Sequence, residues 1–219
     1  MSIQENLHKI KASLPSNVTL IAVTKTHPVE KLMEVYTAGH KIFGENKVQE
    51  LCDKQVVLPK DIAWHLIGHL QSNKVKYIAP FVALIHSVDS FKLLAEIDKQ
   101  AKKSNRVIDC LLQIFIASEE TKFGLDFTEA EQLLSGTEIQ ALQNIRIVGL
   151  MGMASNTSNT AQVKMEFHTL KTFFEAQKHQ KSSNVQLSIL SMGMSSDYEL
   201  AIEEGSNMVR VGSAIFGAR

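Results

Sequence analysis

Eight short apolar runs, each but the last leading into a helix-patterned segment, constrain this chain's fold more than any other feature. The runs cover residues 18–23, 41–43, 62–67, 82–85, 107–116, 145–150, 185–190 and 208–211. Amphipathic stretches lie between them at 29–37, 47–56, 72–78, 91–102, 128–141, 160–178 and 198–204. The stretch from Thr160 carries Val163, Phe167, Leu170, Phe173 and Phe174 on one stripe, which is the period of a helix. Strands that alternate with helices pair in parallel through right-handed crossovers. With eight such units and no second zone of composition, the expectation is a closed (β/α)8 TIM barrel, a single domain over residues 1–219. An open doubly wound sheet would want a GxGxxG turn after its first strand, and the chain has Thr24-Lys25-Thr26-His27-Pro28 there instead. Ile3, Leu7, Ile10 and Leu14 form the apolar face of an extra N-terminal helix that ends before Pro15 and lies outside the repeat as a cap.

Composition narrows the function. Lysine plus arginine and aspartate plus glutamate each number 23, for a formal net charge of zero. Nucleic-acid and membrane-surface binders usually carry a basic excess, so neither partner is expected. No apolar run approaches the roughly 20 residues that span a bilayer, and the N-terminus lacks the apolar core of a signal peptide. Cys52 and Cys110 stand far apart with no CxxC partner, which argues against a disulfide framework. The expected location is the cytoplasm.

Functional residues of such barrels gather at the C-terminal ends of the strands. Lys25 follows the apolar run Leu20-Ile21-Ala22-Val23 and should point into the mouth. A desolvated lysine is a better Schiff-base nucleophile, because burial favours the neutral amine. Its position also fits a lysine that snorkels to solvent. Phosphate sites in these barrels often use the loops after the seventh and eighth strands. Ser191-Met192-Gly193-Met194-Ser195-Ser196-Asp197 and Gly212-Ser213 occupy those places, although ordinary turn chemistry explains either loop alone. Arg210 shares a strand face with Gly212 and suits either a phosphate or a ring nitrogen, or else a surface ion pair. Asn46 opens a helix after a glycine, where capping explains it as well as ligand contact does. His65 and His69 have metal-like spacing, but His65 sits on a strand and the two should not converge, so zinc is rejected. Met151, Met153, Met192 and Met194 would pack around whatever fills the mouth.

An ordered series of motifs runs through these positions. It comprises Ala22-Val23-Thr24-Lys25, the stretch from Gly44-Glu45-Asn46 to Glu50, and the stretch from Trp64-His65 to Lys74. Glu119-Glu120-Thr121-Lys122-Phe123-Gly124, Gly149-Leu150-Met151, Leu190 to Ser195 and Val209 to Gly217 complete it. The series, spread over essentially the whole chain, resembles the YggS/PROSC family of pyridoxal phosphate homeostasis proteins. The resemblance implies an alanine racemase N-terminal-domain-like barrel of fold type III, with pyridoxal 5′-phosphate (PLP) held as a Schiff base on Lys25. It implies that Ser191, Ser195, Gly212 and Ser213 hold the phosphate and that Arg210 faces the pyridine nitrogen, with Asn46, His65 and Met151 lining the ring. An arginine cannot accept the ring-nitrogen proton, so the ring stays a weak electron sink. No second domain is expected beyond Arg219 to supply an opposing acid or base. The implied role is therefore a monomeric carrier that buffers PLP and hands it to apo PLP-dependent enzymes. The alternatives are a weak racemase-type enzyme and a scaffold for some other phosphate ligand. Glu119 and Lys122 are expected to form an ion pair that braces the loop after the fifth strand, and Lys74 and Lys122 are candidates for secondary aldehyde acceptors.

Overall fold

Every strand pairs in parallel with its sequence neighbours, and the last closes on the first. A computed structural model describes residues 2–118, 123–179 and 182–217. The strands are β1 (Thr19–Val23), β2 (Ile42–Glu45), β3 (Ala63–Leu66), β4 (Leu84–Val88), β5 (Ile108–Ile114), β6 (Ile145–Gly152), β7 (Val185–Met194) and β8 (Met208–Val211). They form one closed barrel in chain order, and Ile21 of β1 lies opposite Arg210 of β8. The (β/α)8 expectation therefore holds, as does the helix ahead of it. Glu119 and Lys122 lie outside the described residues.

That first helix, α1 (Ile3–Ser13), starts with a capping box in which Ser2 and Glu5 satisfy each other's backbone N–H groups at 3.2 and 2.7 Å. It buries Leu7 and Ile10 and packs against α2 (Val29–Thr37). Between β2 and β7 come α3 (Val48–Val57), α4 (Val75–Ile78), α5 (Phe91–Lys103), α6 (Phe127–Ser135) and α7 (Thr160–Gln177). α8 (Tyr198–Glu203) and the short α9 (Ser213–Phe216), which follows β8, complete the outer layer. Asn6 of α1 donates to the Ile215 carbonyl at 3.1 Å, tying the two ends of the chain together.

Two apolar layers stabilise this shape. Ile21, Leu84, Leu111, Met151 and Met208 form a buried cluster contributed by five different strands, the filling of the barrel interior. Outward-facing residues such as Phe43 and Trp64, whose rings meet edge-on at 5.7 Å, pack beneath the helices. Each such side chain contributes about 1.5–3 kcal/mol on burial.

The largest departures from the sequence reading fall in two elements. The helix expected over 128–141 stops at Ser135, and after an extended Gly136 the chain continues as a 3-10 turn over Thr137–Ala141. β7 runs four residues beyond the expected end at 190, to Met194. Its pairing with β8 shifts register between Ser191 and Met194, and Gly193 adopts φ +96, a bend that a side chain would oppose. A Cβ at Gly193 would lie 2.6 Å from the Ala201 Cβ of α8.

Candidate functional site

Lys25 sits two residues past β1, half-buried, in a turn in which Thr26 takes the left-handed conformation with φ +66. The turn edges a cavity of about 680 Å³ at the C-terminal mouth of the barrel. Asn46, Ser195, Arg210, Gly212 and Ser213 line the same cavity, so the structure gathers six of the nine site residues named from the sequence.

Each wall has its own local cause. Asn46 follows β2, and Gly68 after β3 lies so close that a Cβ there would fall 2.4 Å from the Asn46 carbonyl oxygen. Ser87 donates to the Gly68 carbonyl at 2.6 Å and holds this crossing in place. On the far wall, Ser195 Oγ accepts the Gly212 N–H at 3.0 Å and the Ala214 N–H at 3.5 Å, which joins the β7 and β8 loops. The hydroxyls of Ser195, Ser196 and Ser213 and these two amides give this wall a set of neutral donors suited to an anion.

Arg210 is the charged residue lining the cavity on that side. It is 3% exposed, and its Nη1 donates to the Ser191 carbonyl at 2.8 Å and the Ser191 hydroxyl at 2.7 Å. Nη2 donates to the Gly152 carbonyl at 3.0 Å. Desolvation pulls its pKa down to about 10, opposed by the Asp197 charge, so the guanidinium stays protonated at neutral pH. Among the described residues, its hydrogen-bond partners are neutral oxygens.

Three expected site residues lie elsewhere. Met151 is fully buried in the barrel filling, and Met153, two residues nearer the mouth on the same face, lines the cavity instead. Ser191 is likewise fully buried one layer down, because β7 continues past it; it supports Arg210 and does not face the cavity. His65 turns to His86, with Nδ1 3.0 Å from His86 Nε2, and His86 Nδ1 lies 3.2 Å from Ser191 Oγ. Two proton arrangements satisfy this chain, both with neutral rings. Burial pushes the His65 pKa down to about 3, and burial followed by the His65 and Arg210 charges pushes His86 well below its usual value. His69 points away from this pair and stacks on Phe123 at 4.4 Å.

Two polar lining residues were missed. Ser196 stood in the quoted loop without a role, and only the extra length of β7 brings it to the cavity. His27 is buried and stacks on Phe216 at 4.5 Å, a contact between the two ends of the chain that no local pattern signals.

A closed parallel barrel with an amine, a buried guanidinium and a hydroxyl-lined wall at its mouth is of the alanine racemase type, and the family model described as "Alanine racemase, N-terminal domain" matches residues 1–219. A curated "Pyridoxal phosphate homeostasis protein" of Aquifex aeolicus is 42% identical, covering 91% of this chain and 86% of that one. One from Schizosaccharomyces pombe is 39% identical, covering 93% and 85%. The chain belongs to the pyridoxal phosphate homeostasis protein family. Among solved structures, PipY of Synechococcus elongatus PCC7942 is 38% identical and covers 99% of this chain and 100% of that one. Its TM-score is 0.93 without PLP and 0.89 with PLP bound. Alanine racemase of Clostridium difficile shares the fold at 16% identity and a TM-score of 0.81, covering 57% of that chain.

Proposed function

We propose that this protein binds pyridoxal 5′-phosphate at Lys25 and serves PLP homeostasis, holding and releasing the cofactor without substantial turnover of its own. The observation that carries this reading is the convergence on one cavity of the Lys25 side chain, Arg210 and the Ser195–Gly212 wall. These residues fit the cofactor's three functional groups, and PipY, the relative solved with PLP bound, supports the match. The hydroxyls of Ser195, Ser196 and Ser213 and the neighbouring amides would hold the phosphate. Arg210, whose described partners are neutral oxygens, would donate to the ring nitrogen. Asn46, in the role expected of it, and Met153, in the place first given to Met151, would bound the ring. When bound, the cofactor would supply an aldehyde, and Lys25 would hold it through its side-chain amine.

The protein's own residues favour storage over catalysis. Arg210 keeps its proton and cannot protonate a ring nitrogen in the way an acid does. Among the described residues, no carboxylate lines the cavity. The name shared by the curated relatives agrees with a carrier role. In this reading the chain works as one barrel domain over residues 1–219, as a cytoplasmic monomer, and passes PLP to apo-enzymes. Among the described residues, no helix is long and apolar enough to cross a membrane.

The test is the absorbance spectrum of the purified protein with added PLP. The wild type should develop a visible band that free PLP in the same buffer lacks, and Lys25→Ala should not. An identical spectrum from both would refute attachment at Lys25. Amino-acid racemisation well above the rate given by free PLP would replace the carrier reading with the racemase-type one.

A further inference from the structure

A buried ionic cluster lies behind the Lys25 turn, on the side away from the cavity. Lys54 of α3 is 6% exposed, and its ammonium donates to three oxygens: Glu45 Oε1 at 2.7 Å, Glu50 Oε1 at 2.7 Å and the Thr24 carbonyl at 2.8 Å. Glu45 is fully buried and also accepts the Thr24 hydroxyl at 2.5 Å. Glu50 Oε1 accepts the Thr26 backbone N–H at 2.6 Å. Glu45, Glu50 and Lys54 are not among the residues lining the cavity.

The pattern of these bonds is informative. The Thr24 carbonyl belongs to the peptide plane before Lys25, and the Thr26 N–H belongs to the plane after it. The orientations of those two planes are the φ and ψ of Lys25. The cluster therefore grips the lysine's backbone from both sides with charge-assisted bonds, which are about twice as strong as neutral ones. The grip has something to oppose, since a β-branched Thr26 at φ +66 is strained by about 1–3 kcal/mol.

We propose that Glu50 and Lys54, anchored by Glu45, are positioning residues that set the direction in which Lys25 projects its amine. The proposal rests on attachment of PLP at Lys25. It gives a function to the Gly44–Glu50 motif, of which only Asn46 reaches the cavity.

Glu50→Ala is the suitable variant. The Glu50 side chain retains 24% exposure, and Lys54 keeps Glu45 as a partner, so no buried charge is stranded. Affinity for PLP should be compared with affinity for pyridoxine 5′-phosphate, which has the same ring and phosphate but an alcohol that cannot condense with Lys25. Glu50→Ala should weaken PLP about tenfold, the size of one charge-assisted hydrogen bond, and leave pyridoxine 5′-phosphate binding unchanged. Glu50→Gln, which keeps an acceptor for the Thr26 N–H, should recover most of the loss. Equal weakening of both ligands would mean general distortion of the mouth and would overturn the proposal. So would an unchanged PLP affinity, provided Lys25→Ala has lowered it. If Lys25→Ala does not lower PLP affinity, the attachment reading itself falls.

Discussion

The two walls of the mouth are built by opposite means. Behind Lys25, on the β1–β2 side, the chain is held by an ammonium and two carboxylates, largely out of water. On the β7–β8 side, a serine hydroxyl, backbone amides and carbonyl oxygens do most of the holding; Arg210 has neutral hydrogen-bond partners among the described residues, and the Asp197 carboxylate braces the β7 end by accepting the Met194 N–H. The difference follows from what each wall must do. A lysine that forms a bond needs one fixed direction, which strong, charge-assisted contacts to its backbone supply. A wall that receives an anion needs donors whose bonds can be given up to the ligand, and neutral bonds worth about 1 kcal/mol are exchanged at small cost.

The largest effect that would break this contrast is expected from Arg210→Met. It removes three buried charge-assisted hydrogen bonds, to the Ser191 carbonyl, the Ser191 hydroxyl and the Gly152 carbonyl, for a loss of about 3 kcal/mol or more in chemical denaturation. A loss below about 1 kcal/mol would mean that the guanidinium is not integrated into the β7–β8 wall.

A smaller, pH-dependent effect sharpens the comparison beneath that wall. His65 and His86 are kept neutral by burial, whereas in the unfolded chain they protonate near pH 6.5. Their folded pKa values are depressed, so their contribution is present above about pH 6.5 and is lost as pH falls towards the folded values. Each adds a slope of up to about 1.4 kcal/mol per pH unit in that window. His65→Gln should flatten the stability profile between pH 5 and 6.5 relative to wild type; parallel profiles would show that the pair takes up protons in the folded state.

The smallest expected effect is that of Ser195→Ala. It removes the acceptor that joins the Gly212 and Ala214 amides, for about 1 kcal/mol of stability, and weakens inorganic phosphate binding severalfold. Unchanged phosphate affinity would place the anion on the other donors of the wall.

The residues themselves show what the sequence makes legible. Strands buried on both faces read as apolar runs, so the barrel and nearly all of its strands were visible, together with the strand ends that carry Lys25, Asn46 and Arg210. The end of β7 was hidden because Met-Gly-Met looks like a loop, whereas its pairing with β8 and its packing against α8 keep it in the strand. The longer strand leaves Ser191 one layer below the cavity, while Ser195 of the same expected loop lines it. Met151 and Ser191 were placed at the correct strand ends but on the wrong level, since residues two apart share a face and differ by about 6.6 Å in height. His65 was lost to His86, a partner 21 residues away whose contact no local pattern encodes. The brace behind Lys25 was invisible for the same reason: Lys54 reads as an ordinary helix-face lysine until the fold buries it.

The central claim is that one particular lysine carries the cofactor, and peptide mapping after borohydride reduction tests it most directly. Protein incubated with PLP, reduced and digested should show the reduced pyridoxyl adduct on the peptide containing Lys25, with no shift of the label to Lys74 or Lys122 in Lys25→Ala. An adduct mainly on another lysine, or none at all in the wild type, would contradict the account.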